Sequence, residues 1–386
     1  MESKELTESK KEAWKPNWEV AIRNTAGEFE QEMLSRKKNA IEFFGVMAFI
    51  LIDLWLLAYP AVLLGIEWLN TLSIILLVIG ALYLFFVSPN IHKDEFHGWG
   101  LGNPIDLVKE IRKANQKRKY LLIIIVMGLI VGLTLAVYFL WNEVADFINI
   151  DQETALDLKD SMGGSLVIIL LGVIVAFLFS TICIRYDNFL SALKTAFLII
   201  IPMAIFMLIL GPLINGLDVF EAFKPAEFAL NVFGYIFWGF IQQLLFSSYF
   251  GTRIRKGIPP AQDLSSPSQK RRRWLVAFIN GSFFGLLHIP SWWLLLGTWI
   301  LGIFLSYVFM EDKNRNLVAL GFIHGFLGSM LGWLFSSKEA EGGLDIEMSV
   351  GPWNVEYFDI SIFIVVGILL TIYIAAIIYI HKNWKD

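Results

Sequence analysis

The chain is poor in cysteine and in charge. A single cysteine, Cys183, lies within an apolar run, so no intrachain disulfide can form. Charged residues are 17% of the 386, against about 25% in soluble domains. No Gly-rich phosphate loop, long heptad array or internal repeat is present. The net charge of −4 argues against nucleic-acid binding. What is abundant instead is apolar: hydrophobic residues make up 56%, and the charges gather in blocks between long uncharged stretches. A soluble helix would carry charge on its outer face. This pattern is that of a multi-pass membrane protein.

A helix needs about 20 mostly apolar residues to cross the hydrocarbon. Ten stretches qualify, at about 41–60, 70–88, 120–141, 164–184, 195–214, 228–251, 274–289, 291–310, 317–336 and 358–381. The fold class expected is therefore all-α, a polytopic membrane helix bundle of about ten spans. Pro290 predicts a tight hairpin between spans seven and eight. With the N-terminus in the cytoplasm, all 31 Lys and Arg residues except Lys159, Lys224 and Lys338 fall on the cytoplasmic side. That bias is expected, because basic residues resist translocation, and it places both termini in the cytoplasm. The membrane would be the plasma membrane if the source is prokaryotic.

Four regions follow: a cytoplasmic tail 1–40, a five-span region 41–227, a polar-bearing core 228–336, and an outer acidic loop with the last span, 337–386. The tail has no apolar core of a signal peptide, so the first span is expected to serve as its own insertion signal. The 89–119 loop, with His92 and His97, reads as a juxtamembrane surface helix, and the Pro/Ser-rich 257–270 segment as a linker.

Polar side chains within lipid are costly and call for a reason. They gather in the core: Gln242 and Gln243 in span six, His288 at the end of span seven, and His324 in span nine. Gln243 and Ser247, four apart, share one helix face. Amides of this kind can simply hydrogen-bond across helices, and a histidine at a helix end is often interfacial. Gly321, Gly325, Gly328 and Gly332 form one small ridge that would let a neighbouring helix approach, with His324 at its border. Asp53 is the acid well inside span one; by helix rise it lies level with His288, at a depth of ~21 Å, and could supply that ring with a carboxylate. Gln242 and His324 sit nearer the cytoplasmic end, at ~11–14 Å, so the four meet only if span seven tilts or begins later than residue 274.

Taken together, Gln242-Gln243-Leu-Leu-Phe-Ser247, Phe284-Gly-Leu-Leu-His288 and His324 resemble, in order and spacing, the motifs of the CPBP family. These are intramembrane proteases that include type II CAAX prenyl endopeptidases and bacteriocin-processing or self-immunity proteins. The family pattern is Glu-Glu-x-x-x-Arg, then Phe-x-x-x-His, then His-x-x-x-Asn. Here both carboxylates are amides, the arginine is Ser247 and the asparagine is Gly328. The resemblance implies an endopeptidase acting on membrane-tethered peptides, such as a prenylated C-terminus, with membrane lipid as its surroundings and no cofactor. It implies catalytic positions at Gln242, Gln243, His288 and His324, and substrate contacts at Phe284, Ser247 and Trp238.

In the family a glutamate activates water while the histidines hold it or steady the oxyanion. A glutamine amide cannot take a proton, and losing a general base costs about 10²–10⁴ in rate. His288 or His324 would then have to act as the base. A catalytic zinc is a poorer fit, since it wants three protein ligands. Two further readings stand beside the peptidase: an inactive family member that binds hydrophobic peptides as a scaffold, and a transporter or lipid-handling protein.

Overall fold

The computed structural model describes residues 36–147, 150–221, 223–258, 267–335, 351–355 and 357–384. The tail before residue 36, the centre of the 257–270 linker and most of the acidic 337–357 loop lie outside the described residues. Regular structure among the described residues is helical throughout, without a strand. In chain order the helices are α1 Arg36–Leu63, α2 Glu67–Ile91, α3 Pro104–Lys113, α4 Gln116–Phe139, α5 Trp141–Phe147, α6 Gln152–Asp160, α7 Met162–Cys183, α8 Phe189–Asn215, α9 Pro225–Gly257, α10 Pro267–Leu286, α11 Trp292–Phe309, α12 Leu317–Phe335 and α13 Ile360–Asn383.

Nine of these are long and apolar enough to cross a membrane: α1, α2, α4, α7, α8, α9, α11, α12 and α13. The expected seventh span is the difference from ten. Its helix, α10, begins at Pro267 and contains the basic run Lys270-Arg271-Arg272-Arg273 in its first turns, so only the part from Trp274 onward is apolar. It does form the expected hairpin with α11, turning through His288, Ile289 and Pro290.

Four of the spanning helices loosen into a π turn, at Ile52–Ala58, Tyr83–Val87, Phe179–Cys183 and Leu244–Phe250. One extra residue per turn widens the helix there, and such segments are often found at functional sites.

The chain divides into two compact units, one comprising Met1–Trp99 with Leu190–Asp386, the other Gly100–Phe189. In the second unit, Asn103 caps α3, Asn115 caps α4, Asp151 caps α6 and Ser161 caps α7, each side chain accepting an otherwise orphaned helix N–H. There α7 packs on α4 where Gly172 meets Thr134. Trp141, Ala145, Ala155 and Ile168 form a small core, closed by the Trp141 indole donating to the Ala155 carbonyl at 3.0 Å. The amphipathic helix expected in 89–119 is α3.

In the first unit two helix pairs dominate, α9 with α12 and α10 with α11. Glycine makes both possible. A Cβ at Gly325 would lie 2.5 Å from the Ile236 nitrogen, and one at Gly321 2.7 Å from the Ile236 carbonyl oxygen. Only this half of the predicted ridge is used: Gly328 meets nothing nearer than the Tyr235 ring at 3.8 Å, and Gly332 faces open space. Gly281, Gly285 and Gly302 bring α10 and α11 together in the same way. Helix α12 is the most enclosed span, 61% of its apolar window being buried against 17% for α2 and α13. Phe43 (α1) packs edge to face on Phe250 (α9) and on Phe283 (α10), the latter at 4.7 Å, and Phe283 meets the Tyr373 ring (α13) at a tilt, 4.9 Å away.

Candidate functional site

The motif-bearing helices of the first unit converge on one residue, Phe284. Its ring lies 5.0 Å from that of Phe246 on α9, 5.8 Å from the His324 imidazole on α12 and 5.2 Å from the His288 imidazole just beyond α10. The depth mismatch counted from helix rise does not keep the histidines apart, because Phe284 reaches both, a turn before His288. Both imidazoles are buried, at 7% exposure for His288 and 8% for His324. Neither rests against open lipid.

Gly239 sets the place of His324. A methyl there would sit 2.6 Å from the His324 Cβ, so the histidine occupies the room a side chain would have taken on α9. No hydrogen bond joins either glutamine to either histidine.

Local chemistry is incomplete at several of these side chains. Gln243 is buried at 1% exposure; its Oε1 accepts from the Ser247 hydroxyl at 2.5 Å, whereas its Nε2 has no partner. The predicted i, i+4 face is thus real, an amide–hydroxyl pair standing where the family pattern has glutamate and arginine. Gln242 Oε1 and His324 Nδ1 are likewise buried without a partner. His288 is better held: its Nδ1 lies 2.9 Å from the Phe284 carbonyl oxygen and 3.1 Å from the Thr298 hydroxyl on α11. Trp238, on α9, is 43% exposed.

Asp53 is not part of the arrangement. Its Oδ2 accepts from Ser73 on α2 at 3.0 Å, and no interaction links it to His288. The carboxylate expected from span one is spent on its neighbouring helix.

Sequence reasoning missed Asn280 and Thr298, both buried. Asn280 donates to the Phe246 carbonyl at 3.0 Å and to Ser306 at 2.8 Å, bracing the π turn of α9 against α10 and α11. Lone polar residues in apolar runs, with Asn280 four before Phe284 and eight before His288, were the available signal.

A second polar cluster, also missed, sits at the basic end of α9. Arg253, fully buried, donates from Nε to Glu42 at 3.1 Å, from Nη1 to Asn39 at 3.3 Å, and from Nη2 to Asp94 at 2.5 Å and Ser88 at 2.9 Å. Glu42 also accepts from Tyr249 at 2.6 Å, bonds His92 Nε2 at 2.6 Å and accepts from Ser88. Lys256 pairs with Asp94 at 2.6 Å. Burial by itself would raise the Asp94 carboxyl, but Lys256 and Arg253 outweigh it and hold the group below the usual carboxylate range. His92, expected on the surface, is instead 2% exposed, because the chain after α2 folds back to cover these charges.

Among the described residues no three His, Cys, Asp or Glu side chains gather as a metal would require. The site offers two imidazoles and two carboxamides in apolar surroundings. That set can accept a proton at a ring nitrogen and can donate or accept hydrogen bonds at the amides.

Residues 224–330, covering α9 through most of α12, match the family model described as type II CAAX prenyl endopeptidase Rce1-like. No curated protein and no solved structure matches the chain.

Proposed function

We propose that residues 224–330 form an intramembrane endopeptidase site of the CAAX prenyl endopeptidase type, acting on peptides tethered to the membrane, such as a prenylated C-terminus. The observation that carries the reading is Phe284, whose ring contacts bring the three motif helices to one point with both imidazoles buried beside it. The distribution of Lys and Arg puts the basic end of α9, and the side of substrate entry, in the cytoplasm.

With glutamine at 242 and 243, an imidazole takes the base role. A ring nitrogen accepts a proton from water, the resulting hydroxide adds to the scissile carbonyl, and the protonated ring returns the proton to the departing amine. A glutamine Nε2–H donates to the carbonyl oxygen as it gains charge. In a site that excludes bulk water such a donor is worth far more than in solution. The shortage of carboxylate predicts slow turnover.

A farnesylated peptide offered to the protein in lipid vesicles tests the reading. Hydrolysis is expected with the wild type and is expected to vanish in His288→Ala and His324→Ala. Cleavage that continues unchanged in both variants overturns the assignment.

The Gln243–Ser247 pair favours a second reading, a binding protein without hydrolysis. It replaces the family's charged residues by a neutral pair already bonded to itself. Capture of the same peptide without cleavage, weakened by His324→Ala, would decide for it.

A further inference from the structure

The position of the proton on His288 follows from what surrounds its Nδ1. The Phe284 carbonyl oxygen, 2.9 Å away, can only accept. It is free to do so because the His288 backbone N–H turns to Gly285 instead, at 2.9 Å, as α10 ends. The other neighbour, the Thr298 hydroxyl at 3.1 Å, has one proton, which it directs to the Leu294 carbonyl at 2.7 Å. Toward the ring, Thr298 therefore presents a lone pair. Two acceptors facing Nδ1 require that Nδ1 carries the hydrogen, which leaves Nε2 of the neutral ring bare.

We propose that Thr298 is a positioning residue for His288: with the Phe284 carbonyl holding the Nδ1–H tautomer, Thr298 fixes the orientation of the ring, so that Nε2 is the general base of the site. The inference rests on the peptidase reading for the use of that base, though not for the tautomer. Thr298 lies outside all three family motifs. It reaches His288 because Gly285 lets α11 come close, a Cβ at Gly285 lying 2.6 Å from that of Trp299. Phe284 alone would tie the ring to its own helix. Thr298 ties it to the facing one and fixes the direction of Nε2. His324 has no such lock, since its Nδ1 meets no partner. The histidines thus divide their roles. A bare Nε2 can take a proton from water but cannot donate to an oxyanion beforehand, so His288 starts the reaction and His324 is left the supporting part.

Imidazole nitrogen NMR on 15N-histidine-labelled protein in lipid nanodiscs reads the tautomer directly. The His288 signals are assigned by their loss in His288→Gln. Expected is an Nδ1–H tautomer in the wild type and in both variants, because the Phe284 carbonyl remains, with the His288 ring signals broadened by ring motion in Thr298→Val and sharp in Thr298→Ser. On the farnesylated peptide, Thr298→Val should lower kcat about 10–100-fold with KM unchanged, and Thr298→Ser should restore it. An Nε2–H signal in the wild type, or ring mobility and kcat both unmoved by Thr298→Val, overturns the proposal. A wild type that shows the expected tautomer and hydrolyses nothing overturns the peptidase reading and leaves the lock standing.

Discussion

Helix α9 carries two polar clusters, and they are built in opposite ways. Around Arg253 the side chains are charged, and every guanidinium nitrogen is engaged by an oxygen. Around Gln243 they are neutral, with Gln242 Oε1, Gln243 Nε2, Asn280 Oδ1 and His324 Nδ1 all buried and unpaired. Buried polar atoms without partners cost free energy that no folded-state contact returns. A network whose charges are all paired rigidifies a bundle, though His92 Nδ1 at its edge is also buried and unpaired; four orphaned atoms in one neutral cluster are what is expected where a site trades stability for function. The difference separates a clamp from a site. The clamp joins α1, the segment after α2 and the end of α9, so that helices without family motifs hold the motif-bearing helix in place.

The largest expected effect lies in the clamp. Arg253→Gln strands Glu42 and Asp94 as partly uncompensated buried acids, and should cost about 3–5 kcal/mol, read as a fall in melting temperature in detergent. Acid should act on the same cluster. Asp94 ionises at lower pH folded than unfolded, so its contribution is complete above about pH 4. It disappears as pH falls through the depressed folded value. Melting temperature against pH should drop there, and Asp94→Asn should flatten the curve while lowering its plateau.

Smaller effects are expected at the site. Gly239→Ala forces a methyl against His324 and should cost about 1–3 kcal/mol. Gly128→Ala on α4, where a methyl meets open space, should leave melting unchanged. Smaller than that of Gly239→Ala is the effect of the double change Gln243→Leu with Ser247→Ala, expected within about 1 kcal/mol of the wild type because both partners of one bond leave together. A loss as large as that of Arg253→Gln would erase the distinction between the two clusters.

Most of the bundle could be read in the sequence, because hydrophobic length alone reports a span. Span seven could not, since α10 is half basic run and half apolar helix, and a window over either half misjudges the other. Of the candidate site, Gln242, Gln243, His288 and His324 were conspicuous as polar residues against lipid, and the structure brings the two histidines to the Phe284 ring. Thr298 and Asn280 escaped because a threonine or asparagine in an apolar run is common and discloses its partner only in three dimensions. The clamp escaped for another reason. Glu42, His92, Asp94 and Arg253 sit near span ends, where charge is ordinary, and nothing in their spacing says that they meet. Asp53 misled through the opposite error: equal depth on two helices does not mean adjacency.

The π turn Leu244–Phe250 lies between Gln243 and Arg253. Removing one residue from it would restore ordinary winding and swing everything beyond by about 100°. The part of α9 around Gly239 would then keep its bearing on α12 while the guanidinium turned away from Glu42, or the reverse. A single surplus residue thus works as an angular spacer, letting one rigid rod point two unrelated groups of side chains at two different neighbours.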